Sequence, residues 1–173
     1  MSSPIPPYGD EHLHPLAFLL GTWRGEGVGA PVGGDGEDYP YAEMLRIYDD
    51  GSPWLAYETQ IVSAVDGHWI HSESGWWRDQ PAGEDGTIEL ELVLTSAAGV
   101  NEVLVGQLST GTAGPKIELA SDVIARTPTA PPVTADKRLY AVRGGKLMYA
   151  IDRAAGEAGI APHLAAALDR MDS

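Results

Sequence analysis

Apolar and polar residues alternate along most of this chain. In "TIELELVLTS", residues 87–96, Ile88, Leu90, Leu92 and Leu94 share one face, and Glu89, Glu91 and Val93 share the other. That period of two predicts a strand with one buried face. "KRLYAVRGGKLMYAID" reads as a hairpin about Gly144-Gly145, with Leu139, Ala141, Leu147, Tyr149 and Ile151 among its inward positions. Turn clusters such as "DDGSP", "AVDGH", "PAGEDG", "SAAGVN" and "TGTAGP" recur between such runs. Many strands punctuated this way predict an antiparallel barrel or sandwich.

Two segments depart from the alternation. In "HLHPLAFLLGTW", Leu13, Leu16 and Leu20 fall at i, i+3 and i+7, and Pro15 suits a first turn, which predicts a short helix ending at Gly21. In "GIAPHLAAALDR", Pro162 fits a first helical position, Leu164 and Leu168 form an apolar rib, and Ala166 and Ala167 permit close packing. A short C-terminal helix is the expectation. Ahead of both, residues 1–10 with Pro4, Pro6 and Pro7 read as a flexible arm, leaving residues 11–173 as one domain.

The stretch "GTWRGEGVG" places Gly21, Trp23, Gly25, Gly27 and Gly29 on one face of a strand. A row of glycines marks either a sharply curved barrel corner, plugged by Trp23 and the preceding helix, or a bare wall for something flat. The Gly-rich "GAPVGGDGED" lacks the Lys and Ser/Thr of a phosphate cradle and reads as a flexible connection.

Composition narrows the chemistry. The 173 residues carry a net charge of −14, from 11 basic against 25 acidic side chains, which argues against nucleic acid as a partner. With no cysteine, disulfides and thiolate chemistry are absent, which suits a cytoplasmic protein. No run approaches the ~20 apolar residues of a membrane-spanning helix, and no signal peptide is expected.

Five histidines are the main candidates for chemistry. His12 and His14 suit surface or capping roles, and His68 follows a turn. In "HWIHSESGWWR", parity puts Trp69, His71, Glu73 and Gly75 on one face and Ile70, Ser72, Ser74 and Trp76 on the other. His163 sits in the first turn of the predicted C-terminal helix, where the macrodipole disfavours imidazolium. A neutral imidazole is what a metal requires. Spacing alone leaves His163 open between ligand and ordinary helix residue. Glu43, Glu58 and Glu73 could pair across strands, but nothing in the pattern marks them as acid and base.

Together, "LLGTWRGEGVG", "GSPWLAYETQ", "HSESGWWR", "IELASDVIART", "LMYAID" and "PHLAAALDR" resemble, in order, segments of the nitrobindins. The resemblance runs from about Pro15 to Arg170 and includes the GxWxGxG motif at Gly21, Trp23, Gly25 and Gly27. It implies an all-β, roughly ten-stranded antiparallel barrel with short terminal helices and one haem b per chain at its mouth. It further implies His163 as axial iron ligand, with His71 and Ile70 lining the cavity. By the same resemblance, ferric haem isomerises peroxynitrite to nitrate, and nitric oxide is a further ligand. Arg153 replaces a common family methionine and could either meet a haem propionate or crowd the pocket. Pro131 stands near a family lysine that contacts haem. A homodimer is a further expectation. The alternatives are a non-enzymatic barrel that binds a small apolar ligand, or a divergent member with weakened haem binding.

Overall fold

The computed structural model describes residues 15–33 and 36–171. The expected N-terminal arm, Leu13, His12 and His14 lie outside the described residues. Ten strands make up the fold: β1 (Gly21–Gly29), β2 (Tyr39–Asp49), β3 (Leu55–Ser63), β4 (Trp69–Asp79), β5 (Ile88–Ser96), β6 (Val100–Gly111), β7 (Gly114–Arg126), β8 (Val133–Arg143), β9 (Lys146–Ala155) and β10 (Ala161–Arg170). Each pairs antiparallel with its neighbour in sequence, and β10 pairs with β1 to close the barrel. The expected all-β barrel is therefore present. Among the described residues no helix is long and apolar enough to cross a membrane.

Neither predicted helix forms as expected. At the N-terminal side only a 3₁₀ turn, Ala17–Leu19, precedes β1. Leu16 and Leu19 are buried there, and Trp23 donates its indole N–H to the Leu19 carbonyl at 2.9 Å. Together they plug one end of the barrel, with Arg170 stacked 4.4 Å over the Trp23 ring. The C-terminal segment is the longer correction, because "APHLAAALDR" is strand β10. Leu164 and Leu168 sit four apart, a spacing that a strand and a helix both place on one face. Ala-rich composition favours a helix, but β1 and β9 each offer an unpaired edge, and ten residues of ladder outweigh that local preference. Leu164, Ala166 and Leu168 face in, while Ala165 and Ala167 are exposed.

The expected pattern holds on β5, where Leu90, Leu92 and Leu94 are buried. On β8 it is shifted by one residue. Leu139 is 39% exposed, whereas Asp136, Arg138 and Tyr140 point inward. The chain places charged side chains inside because they find partners there.

The glycine face of β1 is covered. A Cβ at Gly27 would lie 2.3 Å from the Tyr41 ring, and one at Gly29 equally close to that of Tyr39. Two tyrosines of β2 therefore lie against the wall that glycine leaves bare. Closer still, a Cβ at Gly75 on β4 would lie 1.7 Å from the Val93 carbonyl oxygen, whereas Gly111 has open space around it. Gly75→Ala is expected to destabilise the barrel by about 1–3 kcal/mol, with Gly111→Ala within about 0.5 kcal/mol of wild type. Urea unfolding of the two variants checks this; equal midpoints would contradict the packing described.

Candidate functional site

Side chains fill the barrel in layers. The plugged end is apolar, with Trp23, Leu45, Trp77, Leu92 and Leu104 all buried. Above it lies a belt of buried polar groups. At the opposite end a cavity of about 400 Å³ opens, walled by Val32, Ile70, Val100, Pro131, Pro132, Val133 and Leu164, with Tyr39, His71, Arg153 and His163 as its main polar members.

Irregular pairing shapes this mouth. Between β9 and β10 the register runs from Pro162 opposite Asp152 to Leu164 opposite Ile151, so His163 is an extra residue. Between β3 and β4 it runs from Ile61 opposite His71 to Val62 opposite Trp69, so Ile70 is extra. Such bulges break the two-residue period and re-aim side chains. His163 and Leu164 therefore both line the cavity, as do Ile70 and His71. Parity had placed Ile70 opposite His71 and grouped Trp69 with it, but Trp69 is 49% exposed.

His163 is clamped by the loop that follows β1. Ala30 donates its backbone N–H to the His163 carbonyl at 2.7 Å, and the Ala30 carbonyl accepts from His163 Nδ1 at 2.8 Å. A carbonyl only accepts, so Nδ1 carries the proton and Nε2 keeps its lone pair. Burial lowers the pKa of His163, with Arg153 adding to the effect and the Ala30 bond opposing it. The neutral form is favoured as expected, but by desolvation and not by a helix dipole.

His71 bonds through Nε2 to Glu73 Oε2 at 3.2 Å. Glu73 also accepts a forked pair of bonds from Arg138, one of them 2.5 Å, and one from the Tyr57 hydroxyl at 3.0 Å. Burial alone would raise the Glu73 pKa, but the Arg138 charge outweighs it and holds the carboxyl well below its ordinary range. Arg138 reaches on to Asp136, and Arg153 Nη2 donates to Asp136 at 2.7 Å and to Glu102 at 3.1 Å. Arg153 is thus committed to the belt on one side while lining the cavity on the other. Its Nε is buried without a partner among the described residues. Burial and the neighbouring Asp136 push the Glu102 pKa up. Arg138 and Arg153 overcome burial at Asp136 and pull its pKa down.

A further buried carboxyl, Glu43, makes no ion pair among the described residues. Thr59 donates to Oε1 at 2.6 Å and Tyr149 to Oε2 at 2.5 Å. Burial dominates and raises its pKa to about 7 despite these donors. Glu58, the third carboxylate singled out from sequence, is half-buried and pairs with Arg46.

The structure therefore brings His163, His71, Ile70 and Arg153 to one cavity. Gly21, Trp23 and Gly25 lie toward the plugged end, and Gly27 underlies Tyr41, so the glycine motif shapes the barrel and does not line the cavity. His68 is exposed beside Asp66. Sequence reasoning missed Asp136, Arg138, Glu102, Tyr39 and the Ala30 clamp. The one available signal was a charged residue at inward parity within an apolar alternation, as in Tyr41-Glu43-Leu45.

Among the described residues no three His, Cys, Asp or Glu side chains could together hold a metal ion. A lone imidazole with a free Nε2, set in a largely apolar slot, suits instead a flat group that brings the metal's other ligands with it. Haem has that chemistry, and the residues present fit it.

Comparison with known proteins agrees. The THAP4-like, heme-binding β-barrel domain family matches residues 12–170. A "Peroxynitrite isomerase" of Frankia casuarinae is 41% identical over 167 residues, covering 92% of this chain and 85% of that protein. One from Salinispora arenicola is 37% identical over 188 residues, covering 95% and 89%. The crystal structure of Rv2717c from M. tuberculosis superposes with a TM-score of 0.82 at 33% identity, covering 93% of this chain and all of that one.

The belt makes two predictions of opposite sign. Arg138→Met leaves Glu73 and Asp136 buried without their main cation and should cost about 3–5 kcal/mol in urea unfolding at neutral pH. Because the Glu73 pKa is depressed in the folded state, its contribution is present above the ordinary glutamate range and lost as pH falls through the depressed value. Wild type should therefore lose more stability on acidification than Arg138→Met does. Glu43 runs the other way. Its pKa rises from 4.5 to about 7 on folding, so its contribution is complete below 4.5 and declines until pH passes about 7. Glu43→Gln should remove that slope, worth up to about 3 kcal/mol. A variant as pH-sensitive as wild type over this range would contradict it.

Proposed function

The chain belongs to the THAP4-like, heme-binding β-barrel family, the nitrobindin-like barrels its sequence resembles, and on that premise we propose that it binds one haem b at the mouth cavity and isomerises peroxynitrite to nitrate. Nitric oxide is a further ligand of the same site. The observation that carries this reading is the Ala30–His163 clamp. It fixes the tautomer with Nε2 free and holds the ring at the cavity wall, the arrangement a metal-ligating histidine needs.

Bound haem would supply the iron centre at which peroxynitrite rearranges, in its ferric state. The chain supplies the surroundings. His163 Nε2, oriented by Ala30, would hold the iron. The apolar walls from Val32, Ile70, Val100, Pro131, Pro132 and Val133 hold a flat macrocycle and exclude water. His71 lies in the same cavity with Nε2 bound to Glu73, so its other ring nitrogen is left for a ligand. Pro131 makes the wall apolar near the position where the resemblance places a family lysine, and Arg153, tied to Asp136 and Glu102, is held at the rim of the belt.

A barrel-lumen binder of apolar ligands finds no support below the mouth. The space under the cavity is only about 10 Å³ and is lined by Glu43, His71, Glu73, Arg138 and tyrosines. That is room for about one water, and an apolar tail there would strand charged groups.

Addition of hemin to the protein should give a Soret band, and His163→Ala should lose it while keeping the unfolding midpoint of wild type within about 1 kcal/mol. An unchanged spectrum in His163→Ala would overturn the axial assignment. Holoprotein should accelerate the decay of peroxynitrite to nitrate in stopped flow, and His163→Ala should not.

A further inference from the structure

Beneath the cavity lies an array of aromatic rings that haem ligation does not use. Tyr149 and Tyr140 have centroids 6.0 Å apart, Tyr140 and Trp77 are 5.2 Å apart, and Trp77 and Tyr57 are 6.4 Å apart. Tyr140 and Trp77 are fully buried, and Trp77 Nε1 has no hydrogen-bond partner among the described residues. The array begins just below the cavity floor. Tyr149 lines the small void that shares His71, Arg153 and Leu164 with the cavity above.

Tyr149 and Tyr57 both donate to a buried carboxylate, but Glu73, which accepts from Tyr57, is already paired with Arg138. The Tyr149 hydroxyl donates to Glu43 Oε2 at 2.5 Å, so the Tyr41 hydroxyl, 2.6 Å away, must donate to Tyr149. A phenol yields an electron readily only if its proton leaves at the same time to a base already in contact. Glu43 is such a base, buried, with no guanidinium bonded to it. Tyr140, by contrast, has the Arg138 guanidinium at 3.4 Å from its oxygen.

We propose that Tyr149 is a redox-active tyrosine that quenches one-electron oxidants released in the cavity, with Glu43 as its proton acceptor and Tyr140 and Trp77 as the path along which the oxidising equivalent spreads. The oxidant class is the nitrogen dioxide radical or an oxidant of similar strength. In the step, one electron passes from Tyr149 to the radical, giving nitrite. The phenolic proton moves along the existing hydrogen bond to the Glu43 carboxylate, leaving a neutral tyrosyl radical and a carboxylic acid. Charge and atoms balance without a further reagent. The site thereby contains an oxidant that would otherwise leave the mouth and attack other molecules. The source of the oxidant rests on the function proposed above; the redox competence of Tyr149 does not.

Only the ionised form of Glu43 accepts the proton, so the reaction is pH-dependent. The titratable groups that face Glu43 are Tyr41 on its own strand, Tyr57 on β3, His71 and Glu73 on β4, Arg138 and Tyr140 on β8, and Tyr149 and Arg153 on β9; β10 presents Leu164. Of these, Glu73 raises the Glu43 pKa and His71 lowers it, both less than burial does.

The test is pulse radiolysis of the full chain without hemin, using azide radical as the one-electron oxidant, with transient absorption and freeze-quench electron paramagnetic resonance. Wild type should give a long-lived tyrosyl signal that Tyr149→Phe loses. The rate of its formation should fall about tenfold per pH unit below the Glu43 transition, as the carboxylate fraction does. Glu43→Gln, which keeps the phenol and a polar partner, should give a slow, pH-independent rate. A signal of equal size and lifetime in Tyr149→Phe, or an unchanged pH profile in Glu43→Gln, would overturn the proposal. Should Tyr149→Phe unfold, the Glu43→Gln profile decides alone. Since no arm requires haem, failure of hemin to bind would count against the proposed function and leave this test standing.

Discussion

Closure of the barrel is the constraint on which everything else rests. Without β10, the nine-stranded meander would end with two open edges, β1 and β9, whose backbone groups must be paired if they are to be buried. Only β10 can pair with both. That requirement draws an alanine-rich segment into an extended conformation and places Leu164, Ala166 and Leu168 inside. It also brings the loop after β1 alongside the start of β10, where Ala30 and His163 exchange their hydrogen bonds. The clamp on the candidate ligand is thus the last rung of the closing ladder. Since the bulge there adds one residue, His163 turns inward without disturbing the inward rib below it.

The polar belt is the second organising feature, and its charges nearly cancel. Glu73 and Asp136 are held ionised by Arg138 and Arg153, while burial favours the protonated forms of Glu43 and Glu102. Two guanidiniums face two carboxylates, while burial raises the pKa of two further carboxyls. Such a network adds little to net stability compared with an apolar core, because desolvation offsets most of the attraction. Its effect is positional. The forked Arg138–Glu73 pair fixes the carboxylate that orients His71, and the Asp136–Glu102 pair fixes Arg153 below the cavity. Cross-strand bonds from Arg138 to Glu73 and from Arg153 to Asp136 and Glu102 tie the floor of the site together.

Much of this was legible in the chain. Period-two alternation and recurrent turns declared an all-β fold, and β5 follows its sequence pattern. His163, His71, Ile70 and Arg153 were all identified through a family resemblance, and they meet at one cavity. What misled was any argument from one local period. The Leu164–Leu168 spacing fits both a helix and a strand. The parity of β8 fails because Asp136 and Arg138 are inside, and hydrophobicity cannot anticipate an ion pair whose partner, Glu73, lies 65 residues away from Arg138. The parity of β4 fails at Ile70 because a bulge depends on the facing strand.

By itself the sequence determined that most segments extend and which face of a strand such as β5 is apolar. These are properties of short stretches, set by side-chain size and period. Only the tertiary structure decided that β10 is a strand, that tyrosines cover the glycine wall, that charged groups form the floor, and that His163 keeps Nε2 free. Each of those depends on a partner far away in the chain, and a local pattern carries no information about a group it meets only when the barrel closes.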